Sequence, residues 1–291
     1  MADILDGKKA RDSYKQGLFE RSKRLSCTPA LALIQIGDNR ESTLYIEQKK
    51  KFALDIHAQV EHIVFKTDVT FEEVQNVIKE LNARTDIHGI IVQLPLPAHL
   101  DSRAIINIID PQKDVDGLTD TNQTLLESGK AYFVPATARG VLDLLKFYHI
   151  EVKDKNVVVF GRSRLVGSPI AHLLKAQGAH VSVCHSKTEH PQEISKQADI
   201  VIVAIGKPEL IDTSYIKEGV VVIDVGINSV LDTKTQKMRL VGDVDHANVE
   251  KLVKAISPVP GGVGPMTVLS LFANLILSAE VMCRNTNYQI H

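Results

Sequence analysis

The strongest constraint in this sequence is a set of short, nearly unbroken apolar runs, each closed by glycine or proline. They fall at residues 30–36, 87–94, 157–160, 199–205 and 219–226, with weaker strand candidates at 59–65 and 179–184. Runs of this length without polar alternation suit strands buried on both faces, the burial that a parallel sheet covered by helices provides. Between them lie segments of helical period at residues 42–57, 70–82, 137–148 and 170–177. Ser42 is the expected cap of the first, and Thr70 with Glu73 gives the second a capping-box signature. Alternation of strand and helix over short connections predicts an α/β fold, and 291 residues suffice for two domains or one large one.

Charge and cysteine content narrow the function classes. Lys plus Arg is 34 against 35 for Asp plus Glu, so the chain lacks the basic excess of a general nucleic-acid binder, while a local anion site stays open. Cys27, Cys184 and Cys283 are scattered without metal-ligand spacing, which predicts reduced thiols in an intracellular protein and no metal site. The first residues carry acids and no long apolar run, so no secretory signal is expected. The apolar runs are strand-sized, so no membrane span is expected either, and the protein reads as cytoplasmic.

In an open α/β sheet the usable crevice lies beyond the carboxyl ends of the strands. Three polar sets fall there in the first half. Tyr45 and Lys49 are four apart on one helix face, beside the apolar Phe52 and Ile56. A lysine desolvated on that face would have a lowered pKa and serve as a base; the alternative is a stem lying along apolar surface with its amine in water. Gln93 is a polar residue at the end of an apolar strand, between Val92 and Leu94, and either bonds locally or points into a site. Lys113-Asp-Val-Asp-Gly117 carries two acids without the remaining spacing of a calcium loop. Those acids either brace a turn or recognise a donor-rich ligand.

The second half reads as a nucleotide-binding unit. The strand at 157–160 runs into Gly161-Arg-Ser-Arg-Leu-Val-Gly-Ser-Pro169 and then a helix, the context in which backbone amides hold a phosphate, although the glycine spacing is non-standard. The next strand ends at Cys184, where an NAD site places an acid for the ribose 2′-hydroxyl. This chain instead has Ser186 and Lys187, with Arg162 in the glycine loop, a set that favours the 2′-phosphate of NADP. Residues 242–245 are expected to close a further crossing. Pro258-Val-Pro-Gly-Gly-Val-Gly-Pro-Met-Thr267 reads as a stiff loop, followed by an apolar helix over 268–282 that packs back onto the first domain.

Five of these motifs, in order, resemble the bifunctional methylenetetrahydrofolate dehydrogenase/cyclohydrolase family, the bacterial FolD type. They are Tyr45-x-x-x-Lys49, Val92-Gln-Leu-Pro-Leu-Pro97, Lys113-Asp-Val-Asp-Gly117, the loop from Gly161 to Pro169, and Pro260-Gly-Gly-Val-Gly-Pro-Met-Thr267. The likeness runs from Ile4-Leu-Asp-Gly7 to the last helix. It implies an α/β catalytic domain that binds folate (1–136, completed by 268–291), a Rossmann-like NADP-binding domain (137–267), and a cleft between them. It further implies oxidation of 5,10-methylenetetrahydrofolate by NADP+ and hydrolysis of the methenyl product to 10-formyltetrahydrofolate, in one-carbon metabolism and purine biosynthesis, by a homodimer.

The same resemblance assigns roles. Lys49 is the base or proton shuttle of the hydrolysis, Gln93 holds its amine, Tyr45 packs on the folate, and Asp116 recognises the pterin edge. Val92, Leu94, Pro260, Gly261 and Gly262 fall at substrate positions, and Gly161, Arg162, Ser163, Ser186 and Ile227 at cofactor positions. The chain departs from the family pattern at Pro135-Ala-Thr-Ala-Arg-Gly140, which lacks the usual cysteine and second proline, and at Thr124, commonly glycine. The rival readings are an enzyme with one of the two activities, a shikimate-type dehydrogenase of small acids, and a non-catalytic folate- or nucleotide-binding regulator.

Overall fold

The computed structural model describes residues 2–232 and 237–286. In chain order the elements are β1 (Asp3–Ile4), α1 (Gly7–Lys23), β2 (Ala30–Ile36), α2 (Arg40–Asp55), β3 (Gln59–Phe65), α3 (Phe71–Ala83), β4 (Gly89–Val92), α4 (Ser102–Ile106), α5 (Asp120–Glu127) and α6 (Ala136–Phe147). There follow β5 (Asn156–Phe160), α7 (Gly167–Ala176), β6 (His180–Cys184), α8 (Pro191–Ser195), β7 (Ile200–Val203), β8 (Val221–Asp224), β9 (Asn228–Asp232), β10 (Lys237–Val241), α9 (His246–Val249), β11 (Ala255–Ile256) and α10 (Val263–Thr286).

The chain divides into two compact α/β units. One comprises residues 13–136 with 268–291, of which 287–291 lie outside the described residues; the other comprises 1–12 with 137–267. Residues 1–12 therefore leave the domain to which the sequence reading assigned them. The cause is backbone pairing: Asp3 and Ile4 run parallel to Ala255 and Ile256, so β1 is the edge strand of the other sheet.

The first unit has a three-stranded parallel sheet in the order β3-β2-β4. Side chains alternate across β2, so Ala32, Ile34 and Ile36 share one face and pack with Val74, Ile78 and Leu81 of α3 and Ile105 of α4. Thr70 caps α3 through the capping box that its spacing predicts. The cap of α2 is Asn39, whose side chain accepts from the Ser42 amide; Ser42 itself lies buried in the first turn, three residues past its expected place. Elsewhere in this unit Phe52 of α2 meets Phe272 of α10 with ring centroids 5.6 Å apart, and Leu275 lies against Gly89 of β4.

α10 corrects three expectations. It starts at Val263, so residues 263–267 are helical rather than loop. Residues 263–283 are long and apolar enough to cross a membrane, contrary to the strand-sized limit read from the sequence, yet 67 % of the most apolar window is buried inside the protein, as in a core helix. Finally, Cys283 near its end forms a disulfide with Cys27, so the expected set of three reduced thiols is wrong: Cys184 is the free, buried cysteine among the described residues. A separation of 256 residues hides this pair from any spacing rule.

The second unit has a six-stranded, all-parallel sheet in the order β1-β11-β8-β7-β5-β6. Its inner strands β7 and β8 are buried at every residue, which accounts for their unbroken apolar sequence. The antiparallel pair β9 and β10 was not anticipated, and its connection, 233–236, lies outside the described residues. Residues 242–245 form no crossing strand; Val244 makes one isolated bridge to Ile211.

Candidate active site and nucleotide-binding loop

In the first unit the chain passes from β2 through α2 to β3 on one side, then to β4 on the other. This reversal opens a crevice at the carboxyl ends of β2 and β4, where a ligand has room between diverging connections. Lys49 enters from α2 and Gln93 from the residue after β4. Lys49 Nζ donates to Gln93 Oε1 at 2.8 Å, while Gln93 Nε2 donates to its neighbour's carbonyl, Leu94 O, at 2.9 Å. The second bond fixes the amide orientation, so the oxygen faces the amine. Desolvation lowers the Lys49 pKa, and the negative charge of Asp116 opposes that shift in part. Burial raises Asp116 to about 6 in spite of the Lys49 cation. The two groups therefore face one another in a poorly solvated place.

Each part of Lys113-Asp-Val-Asp-Gly117 has a different task. Lys113 is buried and donates to the carbonyls of Leu81, Asn82 and Arg84, at the carboxyl end of α3. Asp114 accepts from the amides of Leu118 and Thr119 and from Asn122 Nδ2, at 3.1, 2.8 and 2.8 Å, and so braces the turn into α5. Asp116 is the acid left to face Lys49. Both readings of the two acids thus hold, one for each carboxylate. Val92 is buried at the end of β4, Leu94 follows Gln93, and Tyr45 lies one turn before Lys49 on α2.

The second unit has its own reversal between β5 and β7, where β6 lies on the far side of β5. Gly161 follows β5 with φ +109°, and a Cβ there would stand 2.1 Å from Ala204 O. A Cβ on Gly167 would stand 2.2 Å from Gly161 O, so the loop folds this tightly onto the start of α7 only without side chains at both positions. Ser163 closes the loop: its carbonyl accepts from Ser168 N at 3.0 Å and its hydroxyl from Gly167 N at 3.3 Å. Gly161 N donates to Cys184 O at 2.9 Å, which places Arg162 and the residues after β6 at neighbouring strand ends. Arg162, Ser186 and Lys187 are exposed there, with no acid among residues 185–188. The cradle accepts a pyrophosphate, and the cationic rim fits the 2′-phosphate of NADP.

Two buried acids support this loop region and were missed as such in the sequence. Asp243 accepts from the amides of Ile205, Gly206 and Lys207 and from Asn228 Nδ2, within 2.7–2.9 Å. Asp224 accepts from Gly226, Asp243 and Val244 and is raised to about 7, chiefly by burial. The signal was the pair of acids at 243 and 245 after a glycine, but only the fold shows which amides they meet. Pro260 and Gly262 flank Gly261, whose carbonyl accepts from Gly7 N at 2.9 Å, and Ile227 lies beside Gly264.

Residues 5–116 match the catalytic domain, and residues 135–283 the NAD(P)-binding domain, of tetrahydrofolate dehydrogenase/cyclohydrolase. The chain belongs to that family. It is 41 % identical over 286 residues to the bifunctional protein FolD of Acetivibrio thermocellus, covering 97 % of this chain and 99 % of that one. The bifunctional FolD methylenetetrahydrofolate dehydrogenase/cyclohydrolase of Campylobacter jejuni superposes with a TM-score of 0.90 at 39 % identity, over 97 % and 99 % of the two chains. The Trypanosoma brucei enzyme of this family, solved with NADP cofactor and inhibitor, gives a TM-score of 0.90 at 35 % identity over 96 % and 98 %. Membership of the tetrahydrofolate dehydrogenase/cyclohydrolase family agrees with the two units found here and with the NADP-type loop.

Proposed function

We infer that this chain oxidises 5,10-methylenetetrahydrofolate to the 5,10-methenyl compound with NADP+, then hydrolyses that compound to 10-formyltetrahydrofolate. The observation that carries this reading is the desolvated Lys49 amine, held by Gln93 and faced by Asp116, in a chain of this family. When bound, NADP+ supplies the acceptor for the hydride leaving the methylene carbon. Loss of that hydride yields a cation stabilised by the adjoining folate nitrogens, so the protein's part is mainly to position the carbon.

Hydrolysis asks more of the side chains. Water attacking the methenyl carbon must lose a proton, and a lysine with a lowered pKa takes it more readily than an ordinary one. Gln93 Oε1 holds one amine hydrogen, which leaves the Lys49 lone pair free to turn towards the water. Asp116, ionised above about pH 6, accepts from the donor edge of the pterin. Tyr45 packs on the folate and orients Lys49, with Val92, Leu94, Pro260, Gly261 and Gly262 completing the substrate contacts. Gly161, Arg162, Ser163, Ser186 and Ile227 hold NADP. The protein works in the cytoplasm as a homodimer without nucleic-acid or membrane partners, supplying one-carbon units to purine biosynthesis; its near-neutral charge supports the absence of a nucleic-acid role.

Purified protein given 5,10-methylenetetrahydrofolate with NADP+ or NAD+ tests the reading. Reduced nucleotide, methenyl intermediate and 10-formyl product are followed together. The expected result is product in step with reduced NADP, faster than with NAD+. Accumulation of the intermediate, clearing only at its uncatalysed rate, would make the chain a dehydrogenase alone and end the role given to Lys49.

A further inference from the structure

The three-stranded sheet has a second polar site at its other edge, which folate chemistry leaves unused. Cys27 lies three residues before β2, His88 one residue before β4, and Cys283 in the last turn of α10. β2 spans seven residues, so this edge stands about 20 Å from the end that leads to Lys49. Cys27 and Cys283 are disulfide-bonded, and His88 Nε2 is 3.4 Å from the first sulfur and 3.5 Å from the second. All three residues line an open groove of about 630 Å³, a size that holds a small ligand. Cys27 and Cys283 are partly exposed in it, while Cys184 is buried elsewhere.

The hydrogen bonding of His88 decides between two chemistries. Two sulfurs and an imidazole within 4.8 Å have the composition of a metal site. However, Ala30 N donates to His88 Nδ1 at 3.2 Å, and a backbone amide can only donate. The neutral ring therefore carries its proton on Nε2, aimed at the sulfurs, where it cannot ligate a cation. Desolvation, and next the Lys113 cation, hold the His88 pKa below its ordinary value, against the pull of Asp86, and keep the ring neutral. A neutral Nε2–H beside a sulfur stabilises a thiolate leaving from it.

We propose that Cys27–Cys283 is a thiol-exchange site, opened and closed by a small zwitterionic thiol that binds in this groove. The groove offers Arg84, paired with Glu61 and Asp86, so both a cation and carboxylates are present for the two ends of such a molecule. The entering thiolate attacks one sulfur, the S–S bond breaks, and its electron pair leaves on the other sulfur, which accepts the His88 Nε2–H. Both sulfurs lie within reach of that hydrogen, so attack from either side is served. A second small thiol attacks the mixed disulfide and departs as the symmetrical disulfide. Two electrons and two protons pass from two small thiols to Cys27 and Cys283, which end as free thiols. The exchange unties the end of α10 from the start of β2 and leaves the Lys49 edge untouched.

The test uses the full chain purified without reductant, with reduced and oxidised glutathione as the probe. Denatured protein should show one titratable thiol before reduction and three after. Native protein should gain the other two on incubation with reduced glutathione and pass through a species carrying one glutathione, detected by mass. Its Tm should fall by several degrees while folate turnover holds, and Cys27→Ser should abolish the redox dependence of Tm. His88→Phe should slow native exchange about tenfold, whereas His88→Gln, which keeps a donor in place, should largely restore it. Three thiols in the unreduced protein, a bond that glutathione cannot open in the native state, or a Tm indifferent to redox state would each overturn the proposal; wild-type exchange in His88→Phe would overturn its His88 step.

Discussion

Lys49 has neighbours in sequence, Lys50 and Lys51, that are chemically identical to it, and its difference is one of place. Lys50 pairs with Glu47 in solvent at 2.8 Å, while Lys49 turns to Gln93 and loses its water. Lys49→Met keeps the stem and removes the amine, so the variant should fold as the parent does and lose hydrolysis of the methenyl compound by at least about a hundredfold, the upper part of a general-base contribution. Circular dichroism and a direct methenyl assay check both halves of that outcome. Asp116 gives a prediction with a sign. Its carboxyl rises from an ordinary 3.8 to about 6 through burial, so the native state binds the proton more tightly than the unfolded chain. Stability should therefore fall as pH rises from 3.8 to about 6 and stay lower above it. Asp116→Asn should show a higher Tm than the parent at pH 8, converging in acid, while KM for folate rises steeply. In the parent, KM should rise as pH falls through about 6, when the recognising carboxylate is protonated.

Among the elements, the strand–loop–helix from β5 to α7 shows how much a run of sequence can state. Asn156–Phe160 is apolar because it lies in the sheet, and the glycines at 161 and 167 stand where added side chains would strike backbone oxygen. What the loop holds depends on β6, the neighbouring strand, which brings Ser186 and Lys187 alongside Arg162. Arg162→Ala removes a charged donor to the 2′-phosphate, an interaction of about 1.5–3 kcal/mol, and should weaken NADP+ about tenfold or more with little change for NAD+. Binding of both nucleotides by calorimetry measures the contrast, and equal weakening would remove Arg162 from the 2′-phosphate site. Local signals were sufficient for β2, β3 and the capped start of α3, whose periods and caps involve residues only a few positions apart. They failed at the β9–β10 hairpin, which pairs across a connection without a recognisable turn dipeptide.

Considered as a whole, the chain closes on itself through α10. Asn274 Nδ2 donates to Val115 O and Val134 O, both at 2.9 Å, and Ser278 Oγ to His88 O at 2.6 Å, so this last helix satisfies carbonyls laid down far earlier. Phe272, Leu275 and Ile276 are fully buried, each worth roughly 1.5–3 kcal/mol, against a total stability of about 5–15 kcal/mol for a domain. A fragment of residues 13–136 alone should therefore give no cooperative thermal transition, whereas the intact chain does; calorimetry decides it. A sharp transition in the fragment would mean that the three-stranded unit has a sufficient core without α10.

The sequence by itself determined where strands and helices form, that the sheets are parallel and covered, and which groups were available for folate and NADP chemistry. Those properties follow from hydrophobic period, capping and glycine placement, which act between near neighbours along the chain. The tertiary structure decided which groups meet. It brought Lys49, Gln93 and Asp116 together from three connections, divided the tasks of Asp114 and Asp116, moved residues 1–12 to the other sheet, and joined Cys27 to Cys283 beside His88. Each of these depends on strand order and on closing loops of tens to hundreds of residues, for which no local pattern in the chain carries a signal.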